Sequence, residues 1–237
     1  MGTSSSYRAP ATPRWNAFLA ALSSGDSSID RIRSELFNAG DEWEAALASP
    51  AVASYAKTLL RLFDELPARF AESQRPDLGI VAIAAEARAA SETEGFSPAV
   101  AVAERALLRI LIAGVNGVQD GTPAETIAHT WERSRGSDSN DLLARFVAEL
   151  VGQFARHVVD REAGRLATQK LQNVDNDVRL HQPVAANISA TLAMAAEEVA
   201  HSVAIEHLTK SQLNADSWAT LLHRTFDRGR TLPAQAS

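Results

Sequence analysis

The sequence predicts an all-α protein, an irregular multi-helix bundle with a flexible N-terminal tail. Apolar residues recur at helical spacing along most of the 237-residue chain. At several points serine or threonine stands directly before proline, a pair typical of helix starts. We find no stretch with the period-two alternation of β-branched residues that predicts a strand.

The chain divides into a predicted tail, residues 1–14, and one helical domain, residues 15–237. The tail has two prolines and almost no large apolar side chain. It therefore buries too little surface to offset the entropy lost on ordering, and flexibility is its expected state. Helical spacing starts near Trp15, and the polar residues 23–26 are predicted to end the first helix. A second helical run is predicted to break at Gly40.

The clearest helix starts are pairs in which a capping hydroxyl precedes a proline: Ser49-Pro50, Ser97-Pro98 and Thr122-Pro123. Proline fits the first helical position because its missing N–H is not needed there. Glu125 follows Thr122 at the spacing of a capping box, in which the glutamate reaches back to the cap N–H.

Apolar stripes predict three further helices in the C-terminal half. The first stripe consists of Leu143, Phe146, Val147, Leu150, Phe154 and Val158. The second runs through Ile188, Leu192, Ala195, Val199 and Val203. The last consists of Trp218, Leu221, Leu222 and Phe226.

Composition narrows the class of protein. The absence of cysteine excludes disulfides, thiol nucleophiles and cysteine-ligated zinc, and fits a reducing compartment. The start has no secretory signal, and the most apolar stretches are far shorter than the roughly 20 residues of a membrane span. A net charge of −6 argues against non-specific nucleic-acid binding. A cytoplasmic protein that binds neither membrane nor nucleic acid directly is therefore expected.

One stretch is modestly basic, with Lys57, Arg61, Arg69 and Arg75. Asp64 and Glu65 interrupt it, so it is interpreted as a solvated helix face.

Catalytic motifs are missing from the sequence. It has no Gly-x-Ser-x-Gly elbow and no P-loop, so no enzyme activity and no cofactor are predicted. The best metal-like spacing joins Glu198 and His201, which lie three residues apart on a predicted helix. A di-metal bundle needs a second such pair, and no other histidine has a glutamate three residues before it. No metal site is predicted, and a helical-bundle metal enzyme is the third of three alternatives.

The first residues follow a specific pattern. The chain begins Met1-Gly2-Thr3-Ser4-Ser5-Ser6, continues with Ala9-Pro10, and reaches Trp15 through Pro13-Arg14. This tail resembles the start of the QatB family of bacterial Qat anti-phage defence systems, which begins Met-Gly-Thr-Ser with a further serine, Gly-Pro, a proline-rich linker and a tryptophan. Residues 106–164 are loosely similar to the family, whereas its glycine-rich basic middle segment is missing.

The resemblance implies a role for the tail. Family members sit beside an ATPase, a QueC-like enzyme and a TatD-like nuclease, and the QueC-like enzyme is implied to attach a deazaguanine group to the glycine exposed when the initiator methionine is removed. Gly2 would then carry the reactive amine, and Thr3 and Ser4 would be read by the modifying enzyme. An α-amino group has a pKa near 8, so part of it is neutral and nucleophilic at cellular pH.

These observations favour a non-enzymatic component of a bacterial anti-phage defence operon. It would be recognised or covalently modified at its N-terminal glycine by a QueC-like partner, with an ATPase of the same operon as a further partner. The alternative is a helical scaffold or adaptor with an inert tail, whose apolar helix faces pack on a partner.

Overall fold

The computed structural model describes residues 12–23, 31, 34–35, 38–73, 76–91, 97–119, 122–136, 139–170 and 213–231. Within these ranges the chain forms eight helices and no strand, which confirms the all-α prediction. The helices are α1 (Pro13–Ser23), α2 (Asp41–Leu47), α3 (Pro50–Ser73), α4 (Pro76–Ala90), α5 (Pro98–Gly114), α6 (Ala124–Arg135), α7 (Ser139–Lys170) and α8 (Ala215–Thr231). The helical pattern predicted from Ile188 to Val203 lies outside the described residues.

Helix α1 begins two residues before the predicted start, at Pro13. The hydroxyl of Thr12 accepts a hydrogen bond from the backbone N–H of Trp15 at 3.2 Å, and its carbonyl accepts from Asn16 at 3.0 Å. Thr12-Pro13 is thus a further capping pair of the kind described above. The helix ends at Ser23, where the polar segment was predicted to end it.

The loss of this cap is expected to weaken α1. Thr12→Ala removes the hydroxyl that satisfies one of the free N–H groups of the first turn, and should lower the free energy of unfolding by about 1 kcal/mol. Urea denaturation measures the change, and Thr12→Ser is the matched control because serine keeps the hydroxyl. Equal losses in the two variants would contradict a capping role.

Two of the predicted proline starts are confirmed without change. Helix α3 begins at Pro50 and helix α5 at Pro98. Ser97 has extended backbone angles, and its hydroxyl accepts from the N–H of Val100 at 3.4 Å. The cap therefore forms as the local sequence predicts.

The third start, that of α6, differs from the prediction. The helix begins at Ala124 with Pro123 as its cap residue, and no side chain caps it, so the predicted capping box of Thr122 and Glu125 is wrong. The hydroxyl of Thr122 instead accepts from the backbone N–H of Gln119 at 2.9 Å. The hydroxyl is therefore used by a nearby backbone N–H in the loop and not by the helix, an alternative that threonine side chains often adopt.

Helix α3 lies at the centre of the bundle and packs against α4, α5, α6 and α7, while α8 packs on α2 and α3. The predicted stripes of α7 and α8 are buried at every position, and each such side chain contributes roughly 1.5 to 3 kcal/mol on burial. Between α6 and α7 the chain turns at Gly136, whose φ of 87° is a conformation that other residues rarely adopt.

Trp43, which is 1% exposed, joins four helices in an aromatic cluster. Its ring lies 6.5 Å from that of Trp15 on α1, 5.2 Å from Phe154 on α7 and 6.3 Å from Phe226 on α8. Such tilted and edge-on pairs stabilise beyond the area they bury. The cluster fixes α1, and with it the base of the predicted tail, on the core.

Two other buried tryptophans satisfy carbonyls that the helices leave free. Helix α3 runs through Pro67, which has no N–H for the carbonyl of Phe63 one turn before. The indole N–H of Trp131 on α6 donates to that carbonyl at 3.0 Å. The N–H of Trp218 likewise donates at 2.9 Å to Leu47, the last residue of α2.

The basic stretch of α3 forms ion pairs with α4. Arg61 lies 2.9 Å and Arg69 lies 2.5 Å from the two carboxylate oxygens of Glu86. The hydrogen bond from Arg69 is the main cause that lowers the pKa of Glu86. These two arginines are engaged between helices at a partly exposed surface, and Arg75 lies outside the described residues.

Candidate functional site

The residues predicted to carry function lie outside the described part of the chain. Gly2, Thr3 and Ser4 precede it, and Glu198 and His201 fall in the gap between α7 and α8. Among the described residues, no three histidine, aspartate or glutamate side chains are grouped so that they could hold a metal ion. None of the described helices is both long and apolar enough to cross a membrane.

The predicted tail meets the bundle at a sharp boundary. Thr12, Pro13 and Arg14 are exposed, whereas Trp15 is 1% exposed and Phe18 is fully buried. The chain therefore enters the core within one residue. Since a residue spans at most about 3.5 Å, Gly2 can reach no further than about 35 Å from Thr12.

A groove of about 680 Å³ lies beside this point, between the start of α1 and the end of α8. We call it the tail-base groove; its lining residues are Pro13, Arg14, Ala17, Glu35, Asn38 and Arg230. Both signs of charge are present in it.

A four-residue charge cluster continues from Arg230 and joins α8 to α2. The ring nitrogens of His223 lie 2.5 Å from Glu44 and 3.3 Å from Asp227. Arg230 lies 3.2 Å from Glu44 and 2.6 Å from Asp227. Each cation thus contacts both carboxylates, and the cluster holds the end of α8 beside the tail-base groove.

The carboxylates favour the protonated form of His223. The hydrogen bond to Glu44 is the main cause that raises the pKa of this imidazole, and the negative charge of Asp227 adds to it, while Arg230 opposes it. Both ring nitrogens face carboxylates, so both can donate only when the ring is a cation. The arrangement can hold a proton between α8 and α2.

Stability should depend on pH through this histidine. Because the folded pKa of His223 is raised above its usual value of 6.5, the stabilisation is fully present below pH 6.5 and is lost as the pH rises through the folded value. The side chain is 63% exposed, so solvent screens the pair and the effect stays below about 1 kcal/mol.

The measurement is the difference in free energy of unfolding between wild type and His223→Gln across this pH range. We expect the difference to shrink above pH 6.5. A difference that is constant with pH would contradict the assignment.

This cluster was not predicted from the sequence, although three of its four residues lie at helical spacing. Asp227 and Arg230 follow His223 by one and two helical turns, which places the three on one face. Glu44 is 179 residues away in the chain, and only the packing of α2 on α8 brings it near.

No protein family, curated protein or solved structure matches this chain. By its architecture the chain is an all-α bundle whose first described helix enters the core beside a charged groove. The tail sequence and the surface around its base are the features of the chain that bear on function.

Proposed function

We propose that this chain is a non-enzymatic component of a bacterial anti-phage defence operon, recognised or covalently modified at Gly2 by a QueC-like partner enzyme. The observation that carries the proposal is the order of the first residues, in which Met-Gly-Thr-Ser is followed by a further serine, Ala9-Pro10 and the proline before Trp15. An ATPase of the same operon is the second partner.

The chemistry of the tail supports this role. Removal of Met1 leaves the α-amino group of Gly2, whose ordinary pKa near 8 keeps part of it neutral and nucleophilic at cellular pH. Glycine offers no side chain to obstruct an approaching electrophile. Thr3 and Ser4 are small and polar, so an active site can read them through hydrogen bonds.

The bundle supports the role by giving the tail a fixed base. Trp15 holds α1 on the aromatic cluster, and the tail-base groove opens beside the exposed Pro13 and Arg14. In the proposal the modifying enzyme contacts this groove while the tail enters its active site. Glu35 and Arg230 provide charges of both signs for that contact.

Mass spectrometry of the co-expressed operon tests the proposal. The chain is produced with its neighbouring genes, and its intact mass and N-terminal peptide are measured. We expect a mass increase located on Gly2 that disappears when the QueC-like gene is omitted. An unmodified Gly2 in the presence of every neighbouring gene would refute the modification.

The second candidate is a helical scaffold or adaptor with an inert tail. It is favoured by two exposed apolar side chains, Val81 on α4 and Ile112 on α5, which are 63% and 56% exposed. If this candidate is correct, a chain lacking residues 2–11 should still bind its partner in pull-down experiments. If the tail is the recognised element, the same deletion should abolish the complex.

A further inference from the structure

A second surface lies where α5, α6 and α7 meet. A cleft of about 350 Å³ opens to solvent there. Its apolar wall consists of Ile110, Ala113 and Ala148. Its polar residues are Arg109, Ser134, Arg145 and Glu149.

The single carboxylate of the cleft is already engaged. One oxygen of Glu149 accepts from Arg109 at 2.7 Å and from the amide of Gln153 at 2.8 Å. Arg145 precedes Glu149 by one helical turn, but this order of charges is the weaker one for a helical pair. In the part of the chain that the structure describes, no carboxylate pairs with Arg145.

The charge of the cleft is opposite in sign to that of the whole chain. Two arginines and one glutamate give it a positive balance, whereas the whole chain carries a net charge of −6. Arg109 pairs with Glu149 at 2.7 Å, so the excess positive charge of the cleft lies on Arg145. A guanidinium beside an apolar wall suits a carboxylate that is flanked by apolar side chains.

We propose that this cleft binds a short acidic peptide segment of a partner protein. Arg145 holds the carboxylate, Ser134 adds a hydroxyl, and a neighbouring apolar side chain rests on Ile110 and Ala113. Binding at this cleft does not require modification of Gly2.

The probe is the blocked tripeptide acetyl-Leu-Glu-Leu-amide. The uncharged control peptide is acetyl-Leu-Gln-Leu-amide. Binding to the full chain is followed by chemical-shift changes of the alanine methyl groups, among them Ala113 and Ala148. We expect the glutamate peptide to shift these methyls and the glutamine peptide to bind about fivefold more weakly. Arg145→Gln should weaken the glutamate peptide by about the same factor and leave the glutamine peptide unchanged.

Arg224→Gln is the matched control, since it removes an exposed arginine of α8 that does not line the cleft. It should bind both peptides as wild type does. Equal binding of the two peptides, no shift by either, or full binding to Arg145→Gln would overturn the proposal. Inorganic phosphate or acetate that displaces the glutamate peptide and binds as tightly would also overturn it, because the site would then take a free anion only.

Discussion

If Gly2 is modified as proposed, replacing it with proline is expected to abolish that modification in cells that hold the complete operon. Proline presents a secondary amine inside a ring, which fixes φ and crowds the nitrogen. The initiator methionine should still be removed, because proline is small, so the variant tests the amine itself. The measurement is the mass of the N-terminal peptide, read together with protection of the host against phage.

The matched control for this change is Ser5→Ala, which alters the same tail further from the reacting nitrogen. It should be modified nearly as well as wild type. If wild-type Gly2 is unmodified and Gly2→Pro leaves defence intact, only the scaffold candidate stands. Full modification of Gly2→Pro would contradict the requirement for the primary amine of Gly2.

The helices were predictable because their signals are local. Ser97-Pro98 contains the capping hydroxyl and the fixed φ within two residues, and the cap forms as predicted. The stripe from Leu143 to Val158 repeats at helical spacing, and its members are buried. In both cases the residues that determine the helix are close together in the chain.

The prediction was wrong or incomplete where distant groups or competing donors decide the structure. The hydroxyl of Thr122 had two possible uses, and the loop N–H of Gln119 takes it. Thr12 carried the same capping signal as the other pairs, but its position inside a polar tail concealed it. Only the packed bundle brings Glu44 to His223.

The candidate site also has features that are local in the sequence and features that only packing creates. The sequence alone predicts a role for Gly2, Thr3 and Ser4, because the resemblance rests on consecutive residues. The tail-base groove combines the two ends of the helical domain, Pro13 and Arg230, and no local pattern predicts that they meet. The cleft at Arg145 is equally non-local, since three helices form it.

The largest loss of stability is expected from Trp131→Ala. This side chain is 1% exposed, and its ring lies so close to Gly114 that an added Cβ there would be 2.5 Å from it. Removing the ring should lower the free energy of unfolding by about 3 to 5 kcal/mol, since the rigid helices can only partly fill the cavity. Urea denaturation followed by circular dichroism measures this loss.

Trp131→Phe separates packing from hydrogen bonding, because it keeps an aromatic ring but leaves the carbonyl of Phe63 without a donor. A buried acceptor left unsatisfied costs about 1 to 3 kcal/mol. Pro67→Ala supplies the missing backbone N–H one turn later, so Trp131→Phe should cost less in the Pro67→Ala background than in wild type. Equal costs in the two backgrounds would show that the indole N–H does not compensate for the proline. A smaller loss of unfolding free energy in the Pro67→Ala background would establish that Trp131 makes a proline tolerable inside the central helix.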